Sequence, residues 1–238
     1  MENTIIPAIM PQSFRDIEKH VEIVLDVAGC VQLDIMDGVF VPEKTWPFKE
    51  FKSKRSDMNQ ITDYAWRDLQ NEDIGWPYWQ DMDYELDLMV QDADLYLDQW
   101  IALGPKRIIF HIESLNNIEK LLNEVQGIRS FIEIGLSLNN DTDFQEILPH
   151  LEMIDCVQVM GIARIGYQGE GLDERVFEHI QSIKIHAPHI PIQVDGSVNR
   201  STIERFRDAG VERFVVGSAI FAGDNPREGV EELDSFLI

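Results

Sequence analysis

Short apolar runs alternate along the chain with longer stretches of helical period, and the alternation continues without a linker from end to end. The apolar runs predict strands at 4–9 (TIIPAI), 31–36, 84–89 (YELDLM), 107–111 (RIIFH), 131–136 (FIEIGL), 156–160 (CVQVM), 191–195 (PIQVD) and 213–216 (RFVV). Helical period predicts helices at 13–27, within 48–73, and at 92–102, 115–126, 143–150, 172–186, 199–209 and 226–237. Asp92 and Asn199 stand where helix-starting caps belong, and Gly210 stands where a left-handed cap would end the helix at 199–209.

Eight strand–helix pairs in sequence imply a parallel sheet with helices outside it, and that count favours closure into a barrel. The expected fold class is therefore α/β, a single (β/α)8 TIM barrel spanning residues 1–238. An open doubly wound sheet is the structural rival, but no G-x-G-x-x-G follows the first strand. The stretch from Pro42 to Tyr84 is far longer than one helix requires, which marks about residues 50–82 as an insertion after the second strand. Its Tyr64, Trp66, Trp76, Tyr78 and Trp79 either form a lid or an oligomer contact, or simply pack the insertion onto the barrel.

Composition narrows the function classes. The net charge of −23 excludes nucleic acid and anionic membrane as partners, because phosphate backbones require clusters of Lys and Arg. No apolar run approaches the roughly 18–20 residues of a membrane span, and the N-terminus lacks the basic and long apolar regions of a secretory signal. The two cysteines, Cys30 and Cys156, lie in apolar surroundings that read as buried thiols of a reduced cytoplasmic protein.

In a barrel of this kind the active site lies at the C-terminal ends of the strands. The polar residues expected there are Gln32 and Asp34 on the second strand, Glu85 and Asp87 on the third, His111 and Glu113 on the fourth, and Asp195 on the seventh. Period-two alternation points Gln32 and Asp34 to one side of their strand, and Glu85 and Asp87 likewise. An isolated buried carboxylate is costly unless neutralised or paired, so three aspartates at strand ends point to a site.

VQLDIMDGVFVP, YELDLMV, IFHIES, CVQVMGI, QVDGSVN and VVGSAIF occur in the order and spacing of the ribulose-phosphate 3-epimerases, and the chain resembles that family outside about residues 50–82. The resemblance implies a 1,1-proton transfer at carbon 3 of a ketopentose phosphate, through an enediolate, with two aspartates as acid and base on opposite faces of the substrate. Those positions match Asp34 and Asp195. The family's site methionines match Met36, Met89 and Met160, whose polarizable sulfurs suit a dry cavity around a developing anion. Backbone amides after strands seven and eight, at Gly196, Ser197, Gly217 and Ser218, match the family's phosphate loops and need no basic surface. After strand six the sequence is ARIGYQGEG, where Gly166 and Gly169 stand for part of a glycine-rich turn. Arg164 either reaches the phosphate or pairs with Glu170.

The departures concern the metal. The family's ligand positions, two of them histidines, are Gln32, Asp34, Asp87 and Asp195 here, and the serine of the first strand is Ala8. Two readings follow. Either an all-oxygen set holds a hard divalent ion, Mg²⁺ or Mn²⁺ rather than Zn²⁺, or the metal is lost, Gln32 bonds a sugar hydroxyl and a protonated Asp87 donates to a carbonyl. Three converging carboxylates without a cation would repel one another, which favours the first. His111 reads as a hydrogen-bonded wall residue. The expected partner is a phosphorylated sugar, and the resemblance suggests a homo-oligomer. The expected activity is that of an isomerase, with epimerisation of another sugar phosphate or a non-catalytic phosphosugar-binding barrel as rivals.

Overall fold

A computed structural model describes residues 4–50, 57–167 and 169–237. Its strands are β1 (Thr4–Ile9), β2 (Cys30–Met36), β3 (Asp83–Met89), β4 (Arg107–His111), β5 (Glu133–Leu138), β6 (Cys156–Met160), β7 (Ile192–Asp195) and β8 (Arg213–Val216). They pair in sequence order, all parallel, and β8 pairs back onto β1 to close the barrel. The helices are α1 (Phe14–Val24), α2 (Tyr64–Gln70), α3 (Leu97–Ile101), α4 (Ile118–Val125), α5 (Val176–His186), α6 (Ile203–Ala209), α7 (Ser218–Phe221) and α8 (Pro226–Ser235). None of the described helices is long and apolar enough to cross a membrane.

Each strand sends alternate residues to opposite sides. Outward residues such as Leu33, Leu86, Phe110, Leu136, Val157 and Phe214 join the helices in one large apolar core. Inward residues do not join it. Ile6, Ala8 and Val215 form a small cluster of their own, and Met36 and Met89 form another with Val41. The rest of the barrel interior is largely polar, with Gln32, Glu85, Asp87, His111, Ser137, Gln158 and Gln193 fully buried.

Several expected boundaries move, each for a local reason. The fifth strand starts at Glu133 rather than 131, because the amides of Phe131 and Ile132 turn back to Ile128 O at 2.8 and 3.1 Å. The helix expected at 143–150 is two 3₁₀ turns, Phe144–Glu146 and Leu148–Met153, interrupted where Pro149 has no amide hydrogen to continue a helical ladder. Asp92 is left-handed with φ 55° and makes no cap bond, so the stretch after it is a 3₁₀ turn, Ala93–Tyr96, followed by α3. Asn199 organises the turn before α6, its side chain accepting from the amide of Ser201 at 2.9 Å, and the helix proper begins at Ile203. Gly210 ends α6 in the left-handed conformation, with φ 98°.

The expected insertion is described from residue 57; residues 51–56 lie outside the described set. Trp66 and Trp76 are buried against Trp46, Phe14, Trp100 and Tyr84, and the Trp76 indole donates to Leu103 O at 2.8 Å. Tyr64 and Trp79 remain exposed.

Candidate active site

Parallel pairing sets the site's layers. In the register of β2 with β3, Gln32 lies beside Glu85, Asp34 beside Asp87 and Met36 beside Met89. Across the barrel Met160 lies beside Asp195. The carboxylates of Asp34, Asp87 and Asp195 thus converge, with one oxygen from each lying within 4.8 Å of the others. Glu85, expected at the same strand end as Asp87, belongs to the layer below, where Arg107 and Arg213 bind it at 2.9 and 2.5 Å.

Above the carboxylates opens a cavity of about 400 Å³. Its lining includes Asp34, Asp195, Met36, Met89 and Met160, together with Gly166, Gly196, Ser197, Gly217 and Ser218. Ala8 leaves its side of the wall apolar. No lysine or arginine is among the described lining residues. Arg164 instead pairs with Glu170 at 2.5 Å and lies over the Tyr167 ring. None of the described aromatics of the expected insertion lines this cavity.

Loop residues hold the rim. Thr45 Oγ1 donates to Asp34 O at 2.6 Å and accepts from the amide of Met36 at 2.8 Å, closing off the end of β2. Asp37 is fully buried, and its carboxylate accepts from the amides of Val39, Phe40 and Gln91 at 2.8, 3.0 and 2.9 Å. It therefore anchors the loop after β2 to the loop after β3. At Gly161 a β-carbon would sit 2.0 Å from Gly196 O, so only glycine lets the loops after β6 and β7 approach this closely. Gly196 and Ser197 both have positive φ, 94° and 56°, the strained one being the serine.

Burial first, then the charges of Asp195 and Asp87, hold the Asp34 carboxyl well above the usual carboxylate range, against the hydrogen bond from Gln32. Burial and the Asp87 charge push Asp195 up to about 7, again against Gln32. His111 Nε2 lies 3.1 Å from Asp87 Oδ1. Burial alone would lower the imidazole, but the charge and hydrogen bond of Asp87 outweigh it and the net shift is upward. Asp87 Oδ2 is buried with no hydrogen-bond partner.

Gln32 turns its amide nitrogen toward the carboxylates. Its Nε2 donates to Asp34 Oδ1 and to Asp195 Oδ2, both at 2.9 Å, while its Oε1 faces Gln193. The amide thus offers the cluster a donor rather than a fourth oxygen ligand, and the oxygens available to a cation are those of the three aspartates.

The sequence profile of the ribulose-phosphate 3 epimerase family matches residues 76–221. The chain belongs to that family. The profile match begins after β2 and so does not include Asp34, but full-length relatives cover it. The ribulose-phosphate 3-epimerase of Schizosaccharomyces pombe is 24% identical over 230 residues, spanning 96% of this chain and 91% of the relative. The cytoplasmic isoform of Oryza sativa subsp. japonica is 25% identical over 235 residues, spanning 96% and 92%. Among solved structures, a 3-hexulose-6-phosphate synthase superposes with TM-score 0.68 at 16% identity, covering 99% of this chain and 100% of that one. The 3-keto-L-gulonate-6-phosphate decarboxylase of Vibrio cholerae gives TM-score 0.64 at 11% identity, covering 100% of both chains. At these identities the superpositions speak for the barrel fold alone.

Of the polar layer below the carboxylates, Gln158 and Gln193 do not stand out in the sequence analysis, although for Gln193 a signal exists. Q-x-D occurs on β2 as Gln32 and Asp34, and again on β7 as Gln193 and Asp195. Period two sets each glutamine one layer beneath its aspartate.

Proposed function

We propose that this member of the ribulose-phosphate 3-epimerase family moves a proton at carbon 3 of a ketose phosphate, with Asp34 and Asp195 as the acid/base pair. The observation that carries the reading is the pair of carboxylates from β2 and β7 on one methionine-lined cavity, both held above the ordinary carboxylate range. A carboxyl poised near neutrality can take a proton in one direction and return one in the other, and inversion at a single carbon needs one such group on each face. Removing the carbon-bound proton leaves an enediolate, which the other carboxyl reprotonates from the opposite side. Met36, Met89 and Met160 keep water from that intermediate and present sulfur rather than a competing acid.

The phosphate end of the substrate is read as bound by backbone amides at Gly196, Ser197, Gly217 and Ser218, with Gly166 on the third side. An acidic surface, and a cavity with no lysine or arginine among its described lining residues, are compatible with such binding, because oriented amides hold an anion without side-chain charge.

A divalent ion fits beside this pair. The three aspartate oxygens converge, and the orphaned Asp87 Oδ2 is a buried acceptor that an ion would satisfy. Oxygen ligands favour Mg²⁺ or Mn²⁺ over Zn²⁺. Asp34, Asp87 and Asp195 would hold such an ion, which would supply positive charge to offset the negative charge developing on the enediolate. His111 orients Asp87 from behind. Two free thiols and an acidic composition support a soluble cytoplasmic setting.

Incubation with ribulose 5-phosphate in D₂O, with Mg²⁺ or Mn²⁺, tests the activity. Deuterium is expected at carbon 3 together with the C3 epimer. No exchange with either ion, while phosphate ester still binds, would overturn the epimerase reading in favour of a binding protein.

A further inference from the structure

The polar side chains inside the barrel form one hydrogen-bonded chain whose two ends are chemically unlike. Arg213, at the lower end, can only donate; at the upper end, whichever of Asp34 and Asp195 is ionised to serve as the base can only accept. Two glutamine amides lie between them. Arg213 Nε donates to Gln193 Oε1 at 2.7 Å, and Gln193 Nε2 donates to Gln32 Oε1 at 3.0 Å. Gln32 Nε2 then donates to Asp34 Oδ1 and Asp195 Oδ2, each at 2.9 Å.

An isolated glutamine amide can be turned either way, but this one cannot be without penalty. The reversed chain would set an NH₂ group against a guanidinium at one end and an amide oxygen against the ionised carboxylate of the pair at the other. Side branches fix the same sense. Gln193 Nε2 also faces Glu85 Oε1 and Gln158 Oε1, both at 2.8 Å, so its two hydrogens are shared among three oxygens that can only be met by a donor, and Glu85 Oε2 is held by Arg107 and Arg213. Gln193 and Glu85 are fully buried, so a wrongly turned amide would find no water to repair it.

We propose that Gln193, oriented by Arg213, is a positioning residue for the proton transfer. It holds Gln32 with its nitrogen toward Asp34 and Asp195, so that a single amide spans the two carboxylates and sets their separation. This rests on the reading of Asp34 and Asp195 as the acid/base pair. Neither Gln193 nor Arg213 lines the substrate cavity, and Arg213 opens instead on the opposite mouth of the barrel, with Arg107 and Glu133. Their effect on the reaction therefore runs through Gln32 and not through substrate contact.

The test compares kcat and KM for ribulose 5-phosphate in Arg213→Met, Gln193→Leu and Arg213→Lys. The first two variants are expected to lower kcat on the order of 10- to 100-fold, the usual cost of misplacing a supported group. KM stays within about twofold, because substrate contacts are untouched. Arg213→Lys, which is also donor-only, restores most of kcat. A loss confined to KM, or a lysine variant as impaired as the methionine one, overturns the proposal.

Because loss of a buried guanidinium can unfold the barrel, the wild-type protein provides a second readout. With ¹⁵N-labelled glutamine, and Gln32→Met to assign the signals, both side-chain amide protons of Gln32 are expected far downfield and protected from solvent exchange. Signals at free-amide positions would overturn the proposal. Displaced Gln32 signals in a wild-type protein that exchanges no deuterium at carbon 3 would count against the epimerase reading and for the amide polarity.

Discussion

The two faces of the barrel strands follow opposite rules. On the outer face Leu33, Leu86, Phe110 and Phe214 meet the helices in an apolar core where any group of similar size and oiliness serves. On the inner face Gln32, Glu85, Asp87, Gln158 and Gln193 are buried just as deeply, yet each needs a particular partner in a particular sense. The outer face holds the barrel closed through non-directional burial. The inner face contributes less to stability, because desolvating charge and dipole offsets much of what their pairing returns. What it supplies is geometry: three carboxylates meeting under one cavity.

That contrast can be broken or sharpened by substitution. On the inner face, Asp195→Asn is expected to lower epimerisation by about 10²- to 10⁴-fold without lowering the melting temperature; a variant that melts early would mean Asp195 is there for the fold. On the outer face, Phe110→Ala should cost about 3–5 kcal/mol in urea unfolding while the molecules that remain folded keep their kcat. Loss of kcat at full stability would erase the division.

The pH dependence of stability is a smaller effect with a definite sign. With divalent ions chelated, Asp195 titrates near 7 in the folded chain against an ordinary value of 3.8. The folded state therefore binds more protons than the unfolded one across that window. Its contribution to stability is full below 3.8 and is lost as the pH rises through about 7. Asp195→Asn should consequently melt higher than wild type at pH 8, with the advantage fading toward pH 4, as followed by circular dichroism. An advantage that grew toward acid would contradict the shift. Smallest of all, removing the exposed pair of Arg205 with Glu174 by Arg205→Ala should change unfolding free energy by less than about 0.5 kcal/mol and leave turnover alone.

The same contrast explains what could be read without coordinates. Outward positions repeat as apolar runs, so strands such as Thr4–Ile9, Arg107–His111, Cys156–Met160 and Arg213–Val216 are legible to the residue. Closure of the barrel follows from counting them. Boundaries set by single hydrogen bonds, such as the turn of Phe131 and Ile132 back to Ile128, leave no periodic trace. For the site, the residue types and the period-two spacing were enough to group Asp34, Asp87 and Asp195: register sets Asp34 beside Asp87, and closure of the barrel brings the Asp195 carboxylate to them. The direction of the Gln32 amide was not legible. It depends on Gln193 and Arg213, distant in sequence, and an amide presents a donor and an acceptor of nearly equal shape. Gly161 was equally silent, since its close approach to Gly196 exists only once β6 and β7 lie side by side.

The most direct measurement of the central claim is isotope exchange by the two single variants, Asp34→Asn and Asp195→Asn, each supplied separately with the two C3 epimers in D₂O. A pair of carboxylates on opposite faces predicts a mirror pattern. Each variant exchanges the carbon 3 proton of one epimer, fails on the other, and interconverts neither. One variant silent on both epimers while the other exchanges both would contradict the account, because a single carboxylate would then be doing the chemistry assigned here to two.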